Sequence, residues 1–252
     1  MAETYSMNNE VQWKSIYILG GIAAILSLIA VVFDIVVGSS MGGNLSALPQ
    51  TAVDRFAQFW QNPWLGLYNL DLLNTVTQMI SIPVYVALYA AHRKTSRPYA
   101  MLALVIFLVG TTIFITTNTA LPMLELSRKY AAATTESQRT LFAAAGEAML
   151  ARGAHGSLSV FIGFLLPCIA GFIISCAMLS GKIFSKTNSY LGIIGNVLIA
   201  LYVVLVTFVP AIKDMATAFA MPGGLLLMAW MVMYTIRLFQ LGSSRDDMAP
   251  KN

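Results

Sequence analysis

Apolar residues dominate six stretches of the chain, near Ile16 to Val37, Leu65 to Ala91, Tyr99 to Thr117, Leu158 to Leu179, Tyr190 to Ala211 and Ala218 to Leu238. At about 1.5 Å of rise per residue, about 20 residues cross a hydrocarbon core of about 30 Å, so each stretch predicts a membrane-spanning helix. The second stretch departs from uniform apolarity. Asp71, Asn74, Gln78, Ser81 and Tyr85 follow one another at steps of three, four, three and four, which keep all five side chains on one helical face. A carboxylate and its polar companions are costly against lipid, so this seam is expected to face protein or water.

Between the third and fourth stretches lies a long connection whose pattern is helical. Thr135-Glu136-Ser137-Gln138 reads as a capping box, an Ala-rich run follows, and Gly153 reads as a stop. Leu141, Ala145, Ala148 and Met149 form its apolar face, which predicts an amphipathic helical segment lying on the outer membrane surface, with a lid over a pocket as the alternative. The connection from Gly38 to Pro63 is punctuated by turn residues, and Phe56, Phe59, Trp60 and Trp64 read as an interfacial aromatic belt. The expected fold is therefore all-α: one polytopic domain over residues 1–252, with six spans and this extra outer helical segment.

Composition agrees with a bilayer, since 58% of residues are hydrophobic, 10% are charged and the mean hydropathy is +0.73. The net charge of +4 does not point to nucleic acid, because the basic residues sit in short clusters at span ends. His92-Arg93-Lys94, Lys182 with Lys186, and Arg237 with Arg245 follow the even-numbered spans, and Lys14 precedes the first. By the positive-inside rule this places both termini in the cytoplasm. The first span is too long for a signal-peptide core and is expected to be retained. Cys168 and Cys176 are eight residues apart on one helix, too far for a disulfide between them, and read as small packing residues.

Small residues line the fourth and fifth spans, and Pro83, Pro167 and Pro210 are expected to kink or end their helices, freeing carbonyls that need partners. Asn196 is placed to hydrogen-bond across the close contact. With the topology above, Asp34, Asn118, Glu147 and His155 fall on the same outer side as Asp71 and Asn74. The candidate ligand-binding set is thus Asp71, Asn74, Gln78, Ser81, Tyr85, Asp34, Asn118, Glu147 and His155, and His92 reads as a solvated loop histidine on the opposite side. No paired-histidine or CxxC metal motif, nucleophile elbow, P-loop or dinucleotide fingerprint occurs, so no catalytic residue, metal or cofactor is assigned.

The run from Asn118 to Ala151 carries Asn118, the stretch Leu124 to Ser127, Tyr130-Ala131-Ala132-Ala133-Thr134-Thr135, Arg139 and Ala145-Gly146-Glu147. It resembles a recurrent motif of small bacterial membrane proteins grouped as the DUF4386 family. The resemblance implies a six-helix bacterial integral membrane protein and brings no catalytic or binding residue with it. Three functions compete. The first is binding or transport of a small hydrophobic or amphipathic molecule, or of protons, through a pocket lined by the second span. The second is a non-catalytic accessory, sensor or assembly subunit, which implies homo- or hetero-oligomers. The third is an enzyme acting on a lipid, using Asp71, Glu147 and His155. Membrane lipids are the expected surroundings in all three.

Overall fold

The computed structural model describes residues 2–40, 48–154, 157–209 and 213–243. Among them the chain is helical throughout: α1 Ala2–Ser40, α2 Ala52–Gln61, α3 Pro63–Tyr68, α4 Leu72–Ile80, α5 Ile82–His92, α6 Arg97–Thr117, α7 Ala120–Ala132, α8 Glu136–Gly153, α9 Leu158–Gly181, α10 Lys186–Phe208 and α11 Lys213–Ser243. Six helical stretches are long and apolar enough to cross a membrane. They are neighbours in chain order, α1 against α5, α5 against α6, α6 against α9, α9 against α10 and α10 against α11, and α11 returns to α1 to close the ring. Tyr85, Leu88, Phe107, Ile174, Met178, Trp230 and Leu238 meet in its core, while Ile29, Phe33, Val109 and Ile236 stay exposed on the outside, as a lipid-facing surface requires.

The helix expected over 65–91 is divided in the structure. Asn62 caps a short upstream helix by accepting from the Leu65 N–H at 3.1 Å, and Pro63 occupies its first position, where a missing N–H costs nothing. That helix ends before Asp71, and the spanning part begins at Leu72. Pro83 then separates α4 from α5, because its ring cannot donate to the carbonyl four residues back.

A second apolar cluster lies beyond the membrane ring. Ala52, Phe56 and Phe59 of α2 pack with Leu70, Ala120, Met123 and Leu150, so the two outer connections fold together as a cap. Phe56 and Phe59 are therefore core residues of this cap, whereas Trp60 and Trp64 are exposed as an interfacial belt predicts. The expected helix start forms with a shifted return bond: Thr135 Oγ1 accepts from the Gln138 N–H at 3.3 Å, while Gln138 Oε1 accepts from the N–H of Thr134, one residue before the cap, at 3.1 Å. The helix's buried face is offset from the expected one. Gly146, Leu150 and Gly153 face inward with Met149 packed beside them, while Leu141 is 65% exposed; a Cβ on Gly146 would lie only 2.6 Å from Ala52 Cβ and 2.7 Å from the Phe56 ring. Close approach of α8 to α2 selects the glycine stripe over the alanine stripe.

Small residues close the ring on its far side. A side chain on Gly192 would collide with Ser175 Oγ of α9 and lie 2.6 Å from Trp230 Nε1 of α11, and one on Gly171 would collide with Asn196. Asn196 does not bond across this contact: its Nδ2 donates to the Gly192 carbonyl of its own helix at 2.7 Å, and the side chain fills the groove left by Gly171. Replacing Gly192 by Leu overpacks three helices at once and is expected to cost about 1–3 kcal/mol or more. Gly224, by contrast, has open space where a Cβ would go, so Gly224→Ala is expected to be neutral or to stabilise α11 by about 0.5–1 kcal/mol. Thermal unfolding of the two variants in one detergent checks both signs.

Candidate functional site

Asp71 sits at the break between α3 and α4 with φ 60° and ψ 25°, the left-handed region that residues other than glycine seldom adopt. Asp and Asn tolerate it best, since their short polar side chains bond locally. Four contacts hold the break. The Asp71 N–H donates to the Tyr68 carbonyl at 3.0 Å, and Thr75 Oγ1 donates to the Asp71 carbonyl at 2.9 Å. Asn74 Nδ2 donates to the Asp71 carboxylate at 3.1 Å. Asn118 spans from the end of α6: its Nδ2 donates to the Leu70 carbonyl at 2.8 Å while its Oδ1 accepts from the Ala120 N–H at 3.1 Å. Asn118 thus fastens the break to the start of the cap.

Charged and polar groups from other elements converge on Asp71. Asp34 of α1, Arg55 of α2, Tyr68 of α3 and Tyr202 of α10 all lie within electrostatic range of its carboxylate. The Tyr68 hydroxyl donates to the Asp34 carbonyl at 3.1 Å. Burial first, then the Asp34 charge, raise the Tyr68 pKa, so the phenol stays a neutral donor. Arg55 is 4% exposed, and its Nε and Nη1 have no hydrogen-bond partner. Burial pulls the Arg55 pKa below its ordinary value and the Asp71 carboxylate opposes that pull. Gln58, one helical turn on, also buries its Oε1 without a donor. Neither Arg55 nor Gln58 stood out in the sequence, where they fall in an outer connection. The readable signal was their three-residue spacing on an amphipathic helix with Phe56 and Phe59.

The remaining seam residues tie the second span to its neighbours. Pro167 has no N–H to offer the Gly163 carbonyl four residues back, and Gln78 Nε2 donates to that carbonyl at 3.3 Å in its place. Ser81 Oγ lies 3.0 Å from Ser27 Oγ of α1. Tyr85 stacks on Phe107 with ring centroids 3.8 Å apart, and its hydroxyl points to the Pro167 carbonyl at 3.5 Å. Glu147 is used structurally, because its Oε1 accepts from the Ala52 N–H at 2.7 Å and so meets a buried donor that the start of α2 leaves without a helical partner. His155 and Pro210 lie outside the described residues. His92 is fully buried, not solvated: it stacks on Phe184, and its Nδ1 lies 2.8 Å from the Leu88 carbonyl, which makes Nδ1 the donor. Among the described residues no three His, Cys, Asp or Glu side chains gather in a metal-binding group.

The arrangement of spans, break and cap follows the same stretch of chain that a family model matches, residues 15–234, described as a domain of unknown function, DUF4386. The chain belongs to the DUF4386 family. The match extends the resemblance from the Asn118 to Ala151 motif to nearly all of the membrane ring, and Asn118, Gly146 and Glu147 of that motif are the residues that fasten the cap. No curated protein and no solved structure matches. In this DUF4386 protein the partnership of Gln78 with a proline-freed carbonyl has a direct test. Gln78→Leu leaves the Gly163 carbonyl unmet and is expected to cost about 1–3 kcal/mol in unfolding free energy. In a Pro167→Ala background the backbone N–H returns, and a double-mutant cycle should show most of that cost disappear.

Proposed function

We propose that this integral membrane protein binds a small amphipathic molecule at the polar cluster around Asp71, with the cap of α2, α7 and α8 closing over the head group. The observation that carries the reading is Arg55, a buried guanidinium with unmet donors beside a carboxylate held in left-handed backbone. A buried cation with unpaired N–H groups is costly, and a head group bearing carboxylate or phosphate oxygens would meet those donors. Asp34, whose backbone carbonyl holds the Tyr68 hydroxyl, adds a second carboxylate, which suits an amphiphile with a hydroxyl or amine beside its anionic group. We place the protein in a bacterial inner membrane with both termini cytoplasmic, which sets this cluster at the outer face.

Proton or solute passage along the whole seam has less support than binding at its outer end. Gln78, Ser81 and Tyr85 are taken up by contacts to α9 and α1. An accessory-subunit role drew on the small-residue faces of α9 and α10. Gly171, Gly192 and Gly195 instead face Asn196, Trp230 and Leu227 of the same chain. The lipid-enzyme reading required Glu147, which is occupied at the start of α2.

Decanoate is a suitable probe, titrated against the protein in nanodiscs and followed by native mass spectrometry. Arg55→Gln is expected to weaken decanoate binding roughly ten- to a hundredfold, the worth of a charge-assisted hydrogen bond. Asp71→Asn keeps a residue suited to left-handed backbone and removes the charge, so its effect on binding reports chemistry and not folding. Decanoate binding at wild-type strength in both variants, or none in the wild type, would falsify the proposal.

A further inference from the structure

At the lysine- and arginine-rich end of the ring, away from Asp71, the turn between α9 and α10 and the last turns of α11 enclose a cleft of about 380 Å³. Lys182 stands exposed at its edge in left-handed backbone, φ 56°. Arg237 reaches across from α11, where its Nε donates to the Ile183 carbonyl at 2.8 Å and its Nη1 to Gln240 Oε1 at 3.1 Å. The guanidinium is thereby fixed against the turn. Ser185 caps α10 by accepting from the Asn188 N–H at 3.1 Å, and the first N–H groups of this 23-residue helix carry the positive end of its dipole. Asn188 lines the cleft, is 1% exposed, and buries its Oδ1 without a donor. The opposite wall is apolar, formed by Met233 and by Ile236, which continues onto the exposed face of α11.

Each wall selects for a different part of a ligand. Two cations and a helix N-terminus call for an anion with several acceptor oxygens, and among the described residues no Asp or Glu lines the cleft to oppose it. The unmet Asn188 oxygen calls for a hydroxyl or ammonium donor in the same molecule. The apolar flank, open toward the lipid-facing side of α11, calls for hydrocarbon. We propose that this cleft binds a phosphate ester that also carries a hydroxyl or protonated amine, the chemistry of an anionic glycerophospholipid head group and of soluble glycerol phosphate alike. The site is independent of the cluster around Asp71, and basic pockets between spans at this end of a bundle are suited to anionic head groups.

The full chain in a neutral detergent supplies the test, with thermal unfolding followed on adding phosphatidylglycerol, phosphatidylcholine or glycerol 3-phosphate. Phosphatidylglycerol is expected to raise the unfolding temperature of the wild type, and the gain should shrink as salt screens the two cations. Lys182→Asn removes a charge at a backbone angle that Asn adopts readily, so it keeps the turn, and it should require roughly tenfold more phosphatidylglycerol for the same shift. Arg237→Gln should show a larger loss, and because it also gives up the Ile183 contact, Lys182→Asn is the deciding variant. A response to phosphatidylglycerol without one to glycerol 3-phosphate assigns the site to lipid, and a response to both assigns it to the phosphate ester itself. Equal shifts with phosphatidylcholine, no shift with any of the three, or an unchanged dose dependence in Lys182→Asn would overturn the proposal.

Discussion

A backbone carbonyl that loses its helical donor inside hydrocarbon has no water to turn to, and this constraint accounts for several of the polar side chains that join one element to another. Pro167 releases the Gly163 carbonyl, and Gln78 meets it. The break before α4 releases the Leu70 carbonyl, and Asn118 meets it. Arg237 serves Ile183 at the end of α9, Arg152 serves Thr116 at the end of α6, and Tyr17 reaches Ala90 near the end of α5. Each of these donors comes from a different helix than its acceptor, so the same bonds that satisfy the backbone also fix how the spans are arranged. Irregular backbone and helix packing are one problem with one solution.

That logic explains what the sequence could and could not reveal. Six spans, the Thr135 cap and the stop at Gly153 are local signals of period and propensity, and all are present in the structure. The five-residue seam was equally legible as a pattern, but a pattern of steps does not name the partner. Gln78 and Tyr85 are aimed at α9 around Pro167, some eighty residues later in the chain. Left-handed backbone at Asp71 was not legible at all, because no glycine marks it and the apolar run continues on both sides. Neighbouring helices dictated the break, through Asn118 and through the short helix that Pro63 starts too early for one continuous span.

The cap shows the same limit from the other direction. An Ala-rich helix with Leu141 and Met149 on one side reads as amphipathic by hydrophobicity alone, yet the face it buries is the one with glycines. Hydrophobic patterning measures what a side chain gains by leaving water. Contact between α8 and α2 is limited instead by how near the backbones can come, and Gly146 removes the obstacle between them. Glu147, the next residue, then reaches the unpaired N–H at the start of α2, so one dipeptide supplies both the fit and the electrostatic lock. A carboxylate that looked like a candidate ligand is consumed by that lock.

What is left once these structural duties are assigned includes a place at the cap where the fold does not satisfy itself, just as Asn188 Oδ1 is left unmet at the opposite end. In the membrane ring the Gly163 carbonyl that Pro167 frees finds a partner on another helix, although Gln78 Oε1, His92 Nε2 and Trp230 Nε1 stay unmet. At the junction between ring and cap several costs gather together: Arg55 keeps donors without acceptors, Gln58 an acceptor without a donor, and Asp71 an unfavoured backbone angle. Strain of this kind costs about 1–3 kcal/mol for the backbone alone and persists only where its surroundings enforce it. Arg55 of the cap lies within electrostatic range of Asp71 at the head of the second span, so these costs gather between two separate apolar clusters. The candidate site is therefore located by unmet need and not by polarity, which is why Arg55, inconspicuous in the sequence, carries more of the argument than the longer row of polar residues that first drew attention.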